Sequence, residues 1–196
     1  MCSLYVRCYV ISREEKLSAH RVAFLNRCGL DVVRIDPVFL EDRELGCYHA
    51  HRNAWKLVVA HGEKCMVMEE DWEPAASAVH IAGLLQQHAG TKGVVRFGHF
   101  MDLGISYAAT AYLMAPEDAS AALQEPVNVV DHMSWCVSAQ SVPGDSVPGL
   151  FGHGVFQQNR KQQDSMAIHD ELNYRYDQQS FNNHRTRVTT ARVLHS

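Results

Sequence analysis

Three short apolar runs, "LYVRCYVI" (4–11), "DVVRID" (31–36) and "KCMVM" (64–68), are separated by stretches of helical length. This alternation constrains the fold most. Parallel strands cannot be joined by a tight turn and need a crossover, usually a helix. Ser12 offers an N-cap for a helix predicted over 13–28, with Glu14 and Glu15 in its first turn and Gly29 at its stop. Leu17, Val22, Phe24, Leu25 and Cys28 supply much of its apolar face. Pro37 closes the second strand, and a helix over 46–61 carries Trp55, Leu57, Val58 and Val59 before Gly62 ends it. After the third run come a helix over 76–88, strands over 94–97 and 108–114, and a short helix over 117–123. The expected class is α/β, with a largely parallel central sheet covered by helices on both faces.

No linker rich in Pro, Gly or Ser divides the 196 residues, so one domain is expected, over 1–181. Residues 140–168 are rich in Gly, Gln, Ser and Pro and read as irregular loops. Residues 182–196 hold Arg185, Arg187 and Arg192 without an acidic residue, which makes a basic tail. It is either solvated and frayed or an arm that touches an anionic surface. The net charge of −4 gives no reason to expect a nucleic-acid partner. No apolar run approaches the ~20 residues of a membrane-spanning helix, and there is no signal-peptide pattern at the start. A cytosolic protein, or one attached peripherally to a membrane, is expected. The six cysteines form no CxxC pair and read as reduced thiols. Among the twelve histidines, His49 and His51 point to different sides of a helix, and there is no HExxH.

The third strand ends in "VMEEDWEP" (67–74), with Glu69, Glu70 and Asp71 adjacent and Glu73 close behind. Like charges at one strand end repel unless water, a cation or basic groups relieve them. In open α/β sheets, ligands bind beyond the carboxyl ends of the strands. Carboxylate oxygens are hard donors suited to Mg²⁺ or Mn²⁺, which commonly take one or two of them plus phosphate oxygens. A solvated acidic turn is the plain alternative.

Four segments, "ELGCYHAHRNAW", "GEKCMVMEED", "TAYLMAPEDASAAL" and "VDHMSW", occur in that order. Together they resemble glycosyltransferase family 25, which includes bacterial lipooligosaccharide galactosyltransferases and collagen β-galactosyltransferases. Gly46, Cys47, His51 and Trp55 match the family's helix motif, and Glu69 and Asp71 match the outer carboxylates of its acidic motif. Tyr112 and Leu113 fall in its Ala-Tyr-Leu block, and Asp131 and His132 in its Val-Asp-His block. Three departures stand out. Ala50 replaces a serine, Glu70 the middle aspartate, and Ser12-Arg13-Glu14 an Asn-Leu-Asp turn after the first strand.

The resemblance implies a GT-A-like nucleotide-diphospho-sugar transferase fold. It also implies inverting transfer of a hexose, galactose or glucose, from a UDP-sugar to a glycan or glycoconjugate acceptor. Mn²⁺ or Mg²⁺ would offset charge on the leaving diphosphate. On this reading Asp71 ligates the metal, Glu69 touches ribose or metal-bound water, and Glu70 is a reserve ligand. Arg13 and Asp36, after the first two strands, lie where the nucleotide is expected, or are ordinary surface residues. Asp131 is the candidate general base, with Trp135 stacking on a sugar; an N-cap for residues 132–138 is its plain alternative. Asp102 and Asp164 are competing carboxylates. His51 reads as a hydrogen-bonded helix residue and Trp55 as core. Two other functions stay open: an inactive relative that keeps the fold as a binding module, and a metal hydrolase built on the histidines.

Overall fold

A computed structural model describes residues 5–102, 105–124, 139–142, 150–151 and 153–159. All of them belong to one compact unit within Met1–Asn159. Asp131, Trp135, Asp164 and the basic segment 182–196 lie outside the described residues, as does the domain boundary at 181.

The alternation yields β1 (Val6–Ile11), α1 (Ala19–Arg27), β2 (Leu30–Ile35), α2 (Arg43–His61) and β3 (Cys65–Glu69). Then follow β4 (Trp72–Pro74), α3 (Ala78–His88), β5 (Val94–Asp102), β6 (Ile105–Met114) and α4 (Pro116–Gln124). Short strands β7 (Ala139–Ser141), β8 (Leu150–Phe151), β9 (His153–Gly154) and β10 (Phe156–Asn159) complete the described elements. The main sheet has the order β2-β1-β3-β6-β5-β7, with β9 on β5. Strands β2, β1 and β3 are mutually parallel, and β7 runs parallel to β5. The sheet is mostly parallel, as expected, but β6 runs antiparallel between β3 and β5, and the short β9 antiparallel to β5. Strand β6 follows β5 with only residues 103 and 104 between them, too short for the crossover that parallel pairing requires. Strands β4, β10 and β8 form a small antiparallel sheet. The expected helix start after Pro74 hid β4, whose three residues are too few to show a period.

Cys65, Met66, Val67 and Met68 are each 0% exposed, because β3 lies centrally and is covered on both faces. Tyr9, Ile11, Cys65 and Val67 face a layer with Tyr48, Ala50, Ala54, Trp55 and Val58 of α2 and Ala119 and Ala122 of α4. Cys8, Val10, Met66 and Met68 face the other way, against Leu25 of α1 and Cys28 at its end, Ile81 and Leu85 of α3, and Trp72 and Phe156. Arg52 joins α2 to α4, donating to Tyr48 Oη at 2.8 Å and to the Leu123 carbonyl at 2.9 Å.

Helix α1 begins at Ala19 rather than at residue 13. Ser12 does not cap a helix: its Oγ donates to Glu70 Oε2 at 2.7 Å and accepts from the Glu14 N–H at 3.0 Å. A distant carboxylate thus fixes residues 12–14 as a turn, and Ser18 caps the helix by accepting from the Arg21 N–H. Helix α2 starts three residues earlier than expected, at Arg43, because Asp42 accepts from the Leu45 N–H at 3.0 Å. Among the described residues, no helix is long and apolar enough to cross a membrane.

Candidate functional site

The parallel registers place Ile35, Ile11 and Glu69 in one row across β2, β1 and β3. One residue further on, Asp36, Ser12 and Glu70 sit at the carboxyl edge of the sheet. The chain leaves β1 toward the β2 edge and leaves β3 toward β5. The strand order therefore reverses between β1 and β3, where open α/β sheets form a ligand crevice.

The three carboxylates of the acidic strand end have three different environments. Glu70 is committed to the β1 turn. Its Oε2 accepts from Ser12 Oγ and the Arg13 N–H, both at 2.7 Å, and from the Glu14 N–H at 3.4 Å. Its Oε1 pairs with Arg13 Nε at 3.2 Å. Arg34 reinforces the turn from β2, donating to the carbonyls of Glu14 and Ser12 and pairing with Asp36 at 2.8 Å. Arg21 of α1 holds the other side, donating to the Glu70 carbonyl and pairing with Glu73 at 3.3 Å, its guanidinium over the Trp72 ring.

Glu69 points to the opposite layer, as its place in the Cys65, Val67 alternation requires. Its Oε1 lies 3.2 Å from His51 Nε2 and 3.4 Å from Cys47 Sγ. His51 is 0% exposed, and its Nδ1 lies 2.8 Å from Tyr112 Oη, which also accepts from Trp55 Nε1 at 2.7 Å. Burial alone would raise the Glu69 carboxyl, but the hydrogen bond and charge of His51, with Cys47, hold it below the usual carboxylate range. Burial raises the Tyr112 hydroxyl well above its ordinary value. With Glu69 a carboxylate, His51 Nε2 carries a proton and donates to it, while Nδ1 is held by Tyr112 Oη. A continuous chain runs from Trp55 through Tyr112 and His51 to Glu69.

Asp71 is the carboxylate left over. Its Oδ1 is buried and has no hydrogen-bond partner among the described residues. Burial, then the Glu69 charge, raises its pKa to about 7, with Glu70 adding to the rise and a hydrogen bond from its own backbone N–H, then Arg21, opposing it.

Of the residues singled out in the sequence, Arg13 and Glu70 meet directly, and Glu69 and Asp71 lie beside them in the chain. Asp36 is 83% exposed and bound to Arg34. The partnership of Cys47, His51 and Trp55 was open to sequence reasoning, since their i, i+4, i+8 spacing puts them on one helix face. Tyr112, on a strand 57 residues from Trp55, carried no such signal. Gly46 also has a local reason: an added Cβ would stand 2.5 Å from the Val38 carbonyl oxygen, so the 37–42 loop packs on α2 only over a glycine.

No protein-family model matches the sequence, and no curated protein does. A solved structure of a Bacillus anthracis protein assigned as a glucose-1-phosphate thymidylyltransferase, in complex with a sucrose, is similar to this chain. The likeness has 14% identity and a TM-score of 0.36, and covers 68% of this chain and 65% of the other, so this chain spans less than two thirds of that protein. Family 25 therefore stands as a resemblance.

The donor chemistry at the strand end divides in two. Asp71 offers a hard oxygen without a hydrogen-bond partner, which fits Mg²⁺ or Mn²⁺ through one carboxylate and leaves the other positions to water and phosphate. The Glu70 carboxylate is taken up by the β1 turn, through Ser12, Arg13 and Glu14. Cys47, His51 and Glu69 form a mixed sulphur, nitrogen and oxygen group.

Proposed function

We propose that this protein is a glycosyltransferase that moves a hexose from a UDP-sugar to a hydroxyl of a glycan or glycoconjugate, with inversion. The observation that carries the reading is the row at the sheet edge. Ser12, Arg13, Asp36, Glu70 and Asp71 follow three adjacent parallel strands at the point where strand order reverses. The ordered family-25-like segments support it, and a GT-A-like sheet whose parallel strands are interrupted by β6 is part of the same reading.

In this proposal Asp71 would hold Mn²⁺ or Mg²⁺, which would supply positive charge beside the leaving diphosphate. Arg13 and Asp36 flank the nucleotide, and the Glu70 clamp fixes the turn that bears Arg13. Glu69, held as a carboxylate by His51, faces ribose or metal-bound water. The acceptor oxygen bonds to the anomeric carbon as the bond to the diphosphate breaks, and the hydroxyl proton passes to Asp131. The domain spans 1–181, with 182–196 as a basic tail.

A second reading, an inactive relative that binds ligands, is favoured by one observation: Glu70, in the acidic motif, is occupied by Ser12, Arg13 and Glu14. Calorimetry with UDP, UDP-galactose and UDP-glucose, each with Mn²⁺ or Mg²⁺, tests both. Binding that is lost in Asp71→Asn, accompanied by donor hydrolysis or transfer, supports the enzyme. Binding with no turnover on any acceptor supports the inactive relative, and no binding to any UDP compound rejects both.

A further inference from the structure

We infer that Cys47, His51 and Glu69 form a binding site for a zinc-class transition metal, separate from the hard-cation chemistry proposed for Asp71. The three ligand atoms lie within 4.8 Å of one another and come from two elements, α2 and β3. Cys47 and His51, at i and i+4, project from one helical face, so the backbone sets their spacing before any ion arrives.

Two of the three separations match those of a tetrahedral metal site, and the third, Cys47 Sγ to His51 Nε2, is under 4.8 Å. Zinc bonds of about 2.0 Å to nitrogen and oxygen and 2.3 Å to sulphur, at tetrahedral angles, put N···O roughly 3.3 Å and S···O roughly 3.5 Å apart. The observed values are 3.2 Å for His51 Nε2 to Glu69 Oε1 and 3.4 Å for Cys47 Sγ to the same oxygen. One ion can thus replace the two protons that now converge on Glu69. The fourth tetrahedral position is left to water.

The surroundings supply the outer contacts that metal-bound histidines make. Tyr112 Oη stands 2.8 Å from Nδ1 and is itself held by Trp55, so the ring orientation is fixed. With metal on Nε2 the one ring proton is on Nδ1 and donates to Tyr112 Oη. Binding also releases the Cys47 thiol proton. His51 is fully buried, whereas Glu69 is 25% exposed and Cys47 is partly exposed, so an ion has an approach from the sheet edge. Thiolate and imidazole select zinc or cobalt over magnesium or calcium.

The full chain, stripped with chelator, is loaded with Zn²⁺ or Co²⁺, desalted and assayed for metal. The expected result is stoichiometric retention, a sulphur-to-cobalt charge-transfer band and a Tm raised by zinc. In Cys47→Ser and in His51→Gln, retention falls at least tenfold, and Cys47→Ser loses the band. The other cysteines are intact in Cys47→Ser, so a band that persists there overturns the inference. So does wild-type protein that retains no metal, in which case the cluster is a hydrogen-bond network alone. Circular dichroism of each variant separates ligand loss from unfolding. Nucleotide is absent throughout, so the result does not depend on the proposed transferase activity.

Discussion

Ser12 Oγ stands 2.7 Å from Glu70 Oε2, and each belongs to a departure from the family 25 pattern that the chain resembles. The two departures bond to each other. Glutamate at 70 spans from the end of β3 to the turn after β1 and takes up backbone donors of Arg13 and Glu14. Its role in this structure is to close the notch between two parallel strands.

Glu70→Gln should therefore lower stability by about 1–3 kcal/mol, the scale for losing hydrogen bonds to a charged acceptor. Urea denaturation measures the loss. Unchanged stability combined with abolished divalent-cation binding would show that Glu70 is a ligand instead.

Tyr112→Phe keeps the ring but removes the oxygen shared by Trp55 and His51. It should destabilise by about 1–3 kcal/mol, since the buried Trp55 N–H loses its acceptor and His51 Nδ1 its partner. It should also let the Glu69 carboxyl drift up toward the usual range, because His51 loses its anchor. Chemical denaturation and carboxyl-resolved NMR titration check the two effects, and a variant as stable as wild type would remove the buried chain from the account.

Asp71 gives a pH dependence of definite sign. The folded carboxyl titrates near pH 7, whereas the unfolded one titrates at about 3.9. Between those values the folded state holds a proton that the unfolded state has released, so stability falls as pH rises through the window. Asp71→Asn carries no titrating proton there. The stability of the variant relative to wild type should increase from pH 4 to pH 7 and then level off. A flat difference in thermal or urea unfolding across that range would contradict the placement of Asp71.

Gly46→Ala should cost about 1–3 kcal/mol, because the new Cβ meets the Val38 carbonyl oxygen and the loop or helix must shift. The loop follows Asp36, so UDP affinity should fall as well. Wild-type stability in this variant would mean that the loop moves aside freely.

Much of the frame was legible because it rests on local physics. β-branched runs and the helix stop at Gly62 are decided by neighbouring residues. Where local signals competed, tertiary contact decided. Ser12 and Ser18 are both capable caps, and Ser12 lost the role to a carboxylate 58 positions away. Strand β4 went unread because three residues carry no period, and its pairing with β10 is supplied from far along the chain.

By itself, the sequence determined the α/β class, the burial of β1 and β3, and the clustering of three carboxylates at one strand end. Hydrophobic period and residue type are enough for that. Which carboxylate does what was decided by the fold alone. Glu69 turns to His51 and Cys47, Glu70 to the β1 turn, and Asp71 is left with one buried oxygen, Oδ1, that has no hydrogen-bond partner among the described residues. The physical reason is that a carboxylate's protonation and role depend on the donors brought against it across the sheet, and adjacency in sequence does not contain that.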